Sequence, residues 1–384
     1  MGLRLVGGSM TRLDIAFVTE TFPPEVNGVA MTVGRLVAGL RESGHRVSVI
    51  RPRQGAADFG NEHELTVSGL PLPGYPGLRL GLPAGRRLAR QWRHQRPDLV
   101  HVVTEGPLGW SAVNAARRLG IPVTSAFHTN FDRYSVHYGV GWMRPAVAAY
   151  LRTLHRRTRA TMVPTAALAA DLAGEGISGV RVVGRGVDTK LFNPVRRSEA
   201  MRASWGVGVA GPACLYVGRL AAEKNLALVQ KSFAAIQAEH PAARMIWVGD
   251  GPSATQLARQ HADHHFAGVR LGEDLAAHYA SADLFLFPSL TETYGNVVAE
   301  AMASGLPVVA YRSAAAAELV QHEENGTVAS PGDESGYLAA ALWMLGDGKR
   351  LSRLADAARQ TMLPHSWAGV VASFESVARE AIAG

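Results

Sequence analysis

One stretch, ADLFLFPSLTETYGNVVAEAMASGLPVVAYR from Ala282 to Arg312, limits the fold more than any other part of the chain. Leu284–Pro288 and Leu306–Tyr311 are short apolar runs, fit for strands buried on both faces. Thr291–Gly295 between them is turn chemistry. Asn296 to about Ser304 has helical character, and Gly305 followed by Pro307 stops it. Strand, loop, helix and strand in this order make a βαβ unit, which needs a layered α/β fold around it.

The same unit carries chemistry. Glu292 lies in the loop, and Glu300 sits about one turn into the helix. A loop that ends at a helix N-terminus offers free N–H groups and a positive dipole end to an anion. Those groups belong here to Tyr294, Gly295, Asn296, Val297 and Val298. A phosphate bound there has a carboxylate on either side to accept hydrogen bonds from sugar hydroxyls. Either glutamate alone would read as an ordinary solvated carboxylate.

A chain of 384 residues suits two domains better than one. No apolar run reaches the ~18 residues of a membrane span. The start, MGLRLVGGSM, makes no signal peptide, since Arg4 and glycines break its apolar stretch. Met10 reads as the natural start and Met1–Ser9 as an extension. The one cysteine, Cys214, excludes an internal disulfide and points to a cytoplasmic setting. It lies in the apolar run Ala213–Val217 and reads as a core residue. Net charge is uneven: residues 1–192 carry +11 and residues 193–384 carry −4. The first half therefore suits an acidic partner, either nucleic acid or an anionic membrane surface, unless its arginines only keep the surface soluble.

The first half opens with a strand, Leu13–Thr19, a loop broken by Pro23 and Pro24, a helix over Val29–Ser43 and a strand over Val47–Arg51. This is a Rossmann-like start without the G-x-G-x-x-G fingerprint. Asn27-Gly28 at the loop tip lets backbone approach a phosphate or sugar, or forms a plain tight turn. Asp58–Gly85 is irregular, with a strand at Glu64–Ser68 and a mobile segment at Pro71–Pro83. Arg86–Arg96 is a basic helix with Leu88 and Trp92 on one side. The strand Ile121–Phe127 ends in His128, where parallel sheets bind ligands. A second basic helix spans Pro145–Arg159. It sets Val147, Tyr150, Leu151 and Leu154 on one face, and Arg152, His155, Arg156, Arg157 and Arg159 on the other. Such helices lie on anionic lipid or simply face solvent.

The second half repeats the grammar from Ala213–Val217, after a linker near Asn193–Ser198. Gly218 and Arg219 end that strand, and Lys224 opens the next helix. Five residues apart across a strand-to-helix turn, Arg219 and Lys224 can converge on one diphosphate. Arg244–Val248 leads to the tight turn at Gly249. Leu338–Leu345, Leu351–Thr361 and Trp367–Ile382 are helices, the last capped by Ser366. No P-loop, His-Glu-x-x-His, Cys/His cluster or DNA-reading motif is present, so no nucleic-acid partner is expected.

Glu292, seven residues, Glu300 and then AMASGLPVVA resemble the retaining glycosyltransferases of family 4. PPEVNGVA, HTNFDRY, GRGVDTKLFNP and YVGR with Lys224 match further segments in the right order, from Met10 to Gly384. Tyr294 stands where the family usually has Phe, Asn27 where a Gly is common, and Ser-Ala-Ala-Ala-Ala where Gly-Gly often precedes Glu318. The resemblance implies a GT-B fold, two Rossmann-like α/β/α domains facing each other across a cleft. It divides the chain into 10–193 and 194–365, with 366–384 returning to the first domain. It implies transfer of a hexose from a nucleotide diphosphate sugar to a hydroxyl. Arg219 and Lys224 would hold the diphosphate, Glu292 the sugar hydroxyls and Glu300 the ribose. His128 would face the donor sugar, and Gly249 and Arg270 would edge the nucleotide pocket. No metal or other cofactor is expected, because cationic side chains cover the diphosphate. The motifs look most like GDP-mannose-dependent α-mannosyltransferases with a lipid or glycan acceptor, peripheral on the inner face of the plasma membrane. A UDP-sugar-dependent glucosyl or sulfoquinovosyl transferase is the alternative, and a non-catalytic nucleotide-sugar or polyanion binder another.

Overall fold

A computed structural model describes residues 12–25, 27–71, 79–127, 144–208 and 211–384. The first domain begins with β1 (Asp14–Val18), α1 (Gly28–Glu42), β2 (Arg46–Pro52) and β3 (Glu64–Val67). A short antiparallel pair follows, β4 (Gly69–Pro71) and β5 (Arg79–Gly81). Then come α2 (Gly85–His94), β6 (Leu99–Val102), α3 (Pro107–Arg118), β7 (Val123–Ala126), α4 (Arg144–His155), β8 (Ala160–Val163), α5 (Ala166–Gly174) and β9 (Val180–Val182). Seven strands pair in the order β3-β2-β1-β6-β7-β8-β9, and every pairing is parallel.

The second domain runs through α6 (Glu199–Ser204), β10 (Ala213–Val217), α7 (Leu226–Glu239), β11 (Arg244–Val248), α8 (Ala254–Gln260), β12 (His265–Gly268) and α9 (Gly272–Ser281). It continues with β13 (Leu284–Phe287), α10 (Asn296–Ala303), β14 (Val308–Tyr311), α11 (Ala314–Leu319), β15 (Thr327–Ala329), α12 (Glu334–Leu345) and α13 (Gly348–Met362). Its six parallel strands lie in the order β12-β11-β10-β13-β14-β15. Strands β10, β13 and β14 are buried along their whole length, because helices cover both faces. Cys214 is wholly buried in β10, where its thiol is pushed up by the apolar surroundings, and belongs to the core. Both sheets are Rossmann-like.

The last helix, α14 (Trp367–Ala383), crosses back and packs with α1 on the first sheet. Ser366 caps it by accepting the Gly369 N–H at 3.3 Å. Phe374 fits between Phe17 and His101, with ring centroids 5.4 and 5.0 Å away. His45 accepts the Leu13 N–H at its Nδ1, which leaves Nε2–H to donate to Glu375 at 2.9 Å. This fixes the tautomer of a buried histidine and ties α14 to the loop before β2.

Several expectations need correction. Trp92 is buried with Leu88 beneath α2 and faces no surface. His155 is wholly buried, bonded through Nδ1 to Ser125 Oγ at 2.9 Å, so it does not join the arginines on the outer face of α4. Arg79–Gly81, inside the segment expected to be mobile, is strand β5; residues 72–78 of that segment lie outside the described residues. Strands β12 and β15 were not anticipated, because three or four residues give too little alternation to read.

Candidate active site

Each sheet reverses its strand order once, between β1 and β6 in the first and between β10 and β13 in the second. Crevices open beyond the carboxyl ends of strands at such switch points. Here the two crevices face each other and merge into one cleft of about 1920 Å³.

On the second domain, β10 delivers Gly218 and Arg219 into the cleft and β11 delivers Gly249. A Cβ on Gly249 would stand 2.0 Å from the Gly218 carbonyl oxygen, so only glycine lets these loops touch. Arg219 reaches Glu223 at 3.4 Å. Lys224 pairs with Glu292, which also accepts the Ser289 hydroxyl at 2.9 Å. Ammonium and carboxylate thus meet at the mouth of α10, whose N-cap Gly295 has φ +87°. Among the described residues, the Asn296 and Val297 N–H groups have no protein acceptor. The Val298 N–H donates to Gly295 O at 3.1 Å and the Val298 side chain is buried in the core, so Val298 itself does not line the cleft. Tyr294 lines it from below; burial pushes its hydroxyl up to about 12, against the pull of the nearby Arg185 charge.

Glu300 lines the cleft one turn further on. Burial pushes its carboxyl up to about 7, while the Tyr279 hydroxyl, donating at 2.9 Å, favours the ionised form. Arg270 lies at the rim, exposed and paired with Asp274 at 3.1 Å. On the first domain, Asn27 is foremost a helix cap. Its Oδ1 accepts the Ala30 N–H at 2.8 Å, and its Nδ2 donates to Thr21 at 2.6 Å. Gly28 comes within reach of Asn296, whose Nδ2 donates to Thr32 across the cleft at 3.3 Å. His128 lies outside the described residues.

Among the cleft residues that escaped the sequence reading are Glu20, Glu105, Trp110 and Arg185. Glu20 follows β1 and Glu105 follows β6 at the switch point. The rule that strand carboxyl ends face ligands could have found both. Arg185 is half-buried; desolvation lowers its guanidinium to about 10, while the nearby Tyr294 hydroxyl acts in the opposite direction. Among the described residues, His261, Asp263 and His264 could together approach a metal ion. They stand outside the cleft, and Trp247 Nε1–H already occupies His264 Nδ1 at 3.1 Å.

Two parallel sheets with opposed switch points, and a cleft between them lined by cations, carboxylates and a helix N-terminus, suit an enzyme of the glycosyltransferase class. The "Glycosyltransferase Family 4" model matches residues 26–191, and the "Glycosyl transferases group 1" model matches residues 211–347. A GDP-mannose-dependent alpha-mannosyltransferase of Mycobacterium tuberculosis is 34% identical over 93% of this chain and 94% of its own. Its namesake in Corynebacterium glutamicum is 33% identical over 92% and 86%. The sulfoquinovosyl transferase of Arabidopsis thaliana is 30% identical over 92% of this chain and 71% of its own. Among solved structures, a sucrose-phosphate synthase from Thermosynechococcus elongatus superposes with a TM-score of 0.76 at 19% identity, covering 97% and 100% of the two chains. Anabaena HepE in complex with UDP also gives 0.76, at 18% identity, covering 96% and 100%. The chain belongs to the family 4 glycosyltransferases and has the GT-B fold.

Proposed function

We propose that the protein moves mannose from GDP-mannose to a hydroxyl of a lipid or glycan, with the anomeric configuration retained. The observation that carries this is that Arg219, Lys224, the α10 N-terminus, Glu292 and Glu300 all line one cleft, with Lys224 paired to Glu292 at that N-terminus. The mannose donor is supported by the GDP-mannose-dependent relatives in Mycobacterium and Corynebacterium.

In this reading the bond between the anomeric carbon and the β-phosphate oxygen breaks first. Negative charge grows on the diphosphate and meets Arg219, Lys224 and the Asn296 and Val297 N–H groups, fixed before the reaction starts. Glu292 holds sugar hydroxyls and Glu300 ribose hydroxyls. The acceptor oxygen attacks from the face the diphosphate leaves, and its proton passes to the departing phosphate. No metal is needed, because protein cations cover the diphosphate. The exposed arginines of α2 and α3 favour an acceptor held at an anionic membrane surface. Among the described residues no helix is long and apolar enough to cross a membrane.

A thermal-shift panel of GDP, UDP, ADP and their sugars tests the donor. A ligand at 100 times its Kd stabilises by about 2.7 kcal/mol. GDP and GDP-mannose are expected to give the largest shifts. A preference for UDP would favour the glucosyl or sulfoquinovosyl alternative, which the Arabidopsis relative supports. No shift with any nucleotide would remove the donor site.

A further inference from the structure

A carboxylate that holds a ribose needs its oxygens aimed and its charge kept. Ribose offers neighbouring hydroxyls, and only an ionised carboxylate accepts from both without losing an oxygen to a proton. Glu300 lines the cleft from α10, half-buried. Burial pushes its carboxyl up to about 7, so at neutral pH a proton competes with the ribose for the same oxygens. Among the described residues Glu300 Oε1 accepts from no protein donor, whereas Oε2 accepts from one.

That donor is the Tyr279 hydroxyl on α9, 2.9 Å away. Tyr279 is wholly buried and does not line the cleft, so it cannot touch a ligand there. Its ring is wedged edge-on by Phe192, with centroids 5.7 Å apart at 79°, and by Phe285, 5.8 Å away at 65°. A ring held this way aims its hydroxyl in one direction. Burial, with the Glu300 charge adding to it, keeps the proton on that hydroxyl far beyond the ordinary tyrosine range, so the group stays a donor.

The charges on the other elements around α10 turn elsewhere. On α9, His278 Nδ1 donates to the Asp274 carbonyl at 2.8 Å, and Glu273 and Asp274 are exposed. Glu318 of α11 accepts the Ala166 N–H at 2.7 Å, and Tyr311 of β14 lies under the influence of Glu334 and Asp333. On α13, Arg359 donates to the Ala303 carbonyl at 2.6 Å, at the far end of α10, and Arg350 and Arg353 donate to the Trp343 and Glu323 carbonyls. Lys349 and Asp356 on the same helix are exposed. Glu292, at the mouth of α10, is paired with Lys224.

We infer, on the reading of Glu300 as the ribose holder given above, that Tyr279 is a positioning residue for the nucleotide. Its hydroxyl pins Oε2, leaves Oε1 for the ribose and holds the carboxylate in the form that only accepts. A phenylalanine of the same shape fills the space and does none of this.

Calorimetry on the full chain tests it, with GDP and 2′,3′-dideoxy-GDP as probes and the matching UDP pair run alongside. Wild-type protein is expected to bind the complete nucleotide more tightly than its dideoxy form. Tyr279→Phe should weaken the complete nucleotide about tenfold at pH 7, the size of one lost hydrogen bond to a charged group. At pH 8.5 the loss should shrink to about threefold or less, because Glu300 then ionises unaided. The dideoxy form, with no hydroxyl for Glu300 to hold, should change by less than about twofold at either pH. A stoichiometry equal to the wild type reports that the variant is folded. Three outcomes overturn the inference alone: Tyr279→Phe leaves affinity unchanged, weakens both forms alike, or costs as much at pH 8.5 as at pH 7. Wild-type protein that does not distinguish the two forms overturns the ribose reading of Glu300 and this inference with it. Wild-type protein that binds neither nucleotide overturns the donor site as a whole.

Discussion

Lys224 is held by Glu292, and Glu292 by Ser289, in a half-buried corner at the mouth of α10. A diphosphate arriving beside Arg219 meets an ammonium that is already drawn out of water and aimed. Lys224→Ala and Arg219→Ala are each expected to lower transfer on the order of 10²-fold. Steady-state rates on variants with wild-type circular dichroism check this, and near-normal turnover would take either residue out of the site. These residues were legible because each sits in a local pattern: a basic pair across a strand-to-helix turn, and glutamates around a helix start. Glu20 and Glu105 were not. Each reads locally as a loop carboxylate, and only the order β2-β1-β6-β7 makes them neighbours. Strand order is a property of tertiary pairing and leaves no mark on a short window of sequence.

At the scale of elements, the periodicity of α2 and α4 was legible but its meaning was not. An aromatic beside arginines fits a lipid interface as well as a core, and Trp92 turned inward because α3 packs over it. The last helix shows the same limit. Its Ser366 cap and apolar stripe could be read from local sequence, whereas the His45–Glu375 bond joins residues 330 positions apart. Glu375→Ala leaves the His45 Nε2–H buried without an acceptor, at a cost of about 1–3 kcal/mol. The expected outcome is a lower midpoint in urea with an unchanged slope, since surface exposed on unfolding stays the same. A midpoint equal to the wild type would show that Phe374 alone secures the helix.

For the whole molecule, charge is the property that sequence reported directly. The first domain carries the excess of arginine, and Arg86, Arg90, Arg93, Arg117 and Arg118 are exposed on α2 and α3, which pack side by side. Each such residue near an anionic surface contributes roughly 1 kcal/mol, so a handful supports reversible binding without an anchor. Wild-type protein is expected to pellet with phosphatidylglycerol vesicles at low salt. It should stay in solution with phosphatidylcholine or at high salt. An R86E/R90E/R93E variant should lose the pelleting and keep nucleotide binding. Equal, negligible pelleting with both lipids would argue for a soluble glycan as acceptor.

The return of α14 to the first sheet also orders the birth of the protein. A ribosome releases residues at about 5–20 per second, so the segment from β9 to α14 takes roughly 10–40 s to emerge. Through that interval the first sheet is threaded and paired, yet the face of Phe17 and His101 that Phe374 will cover stands open to water. The domain made first is therefore completed last, and a nonsense codon in the final helix spoils the opposite end of the chain.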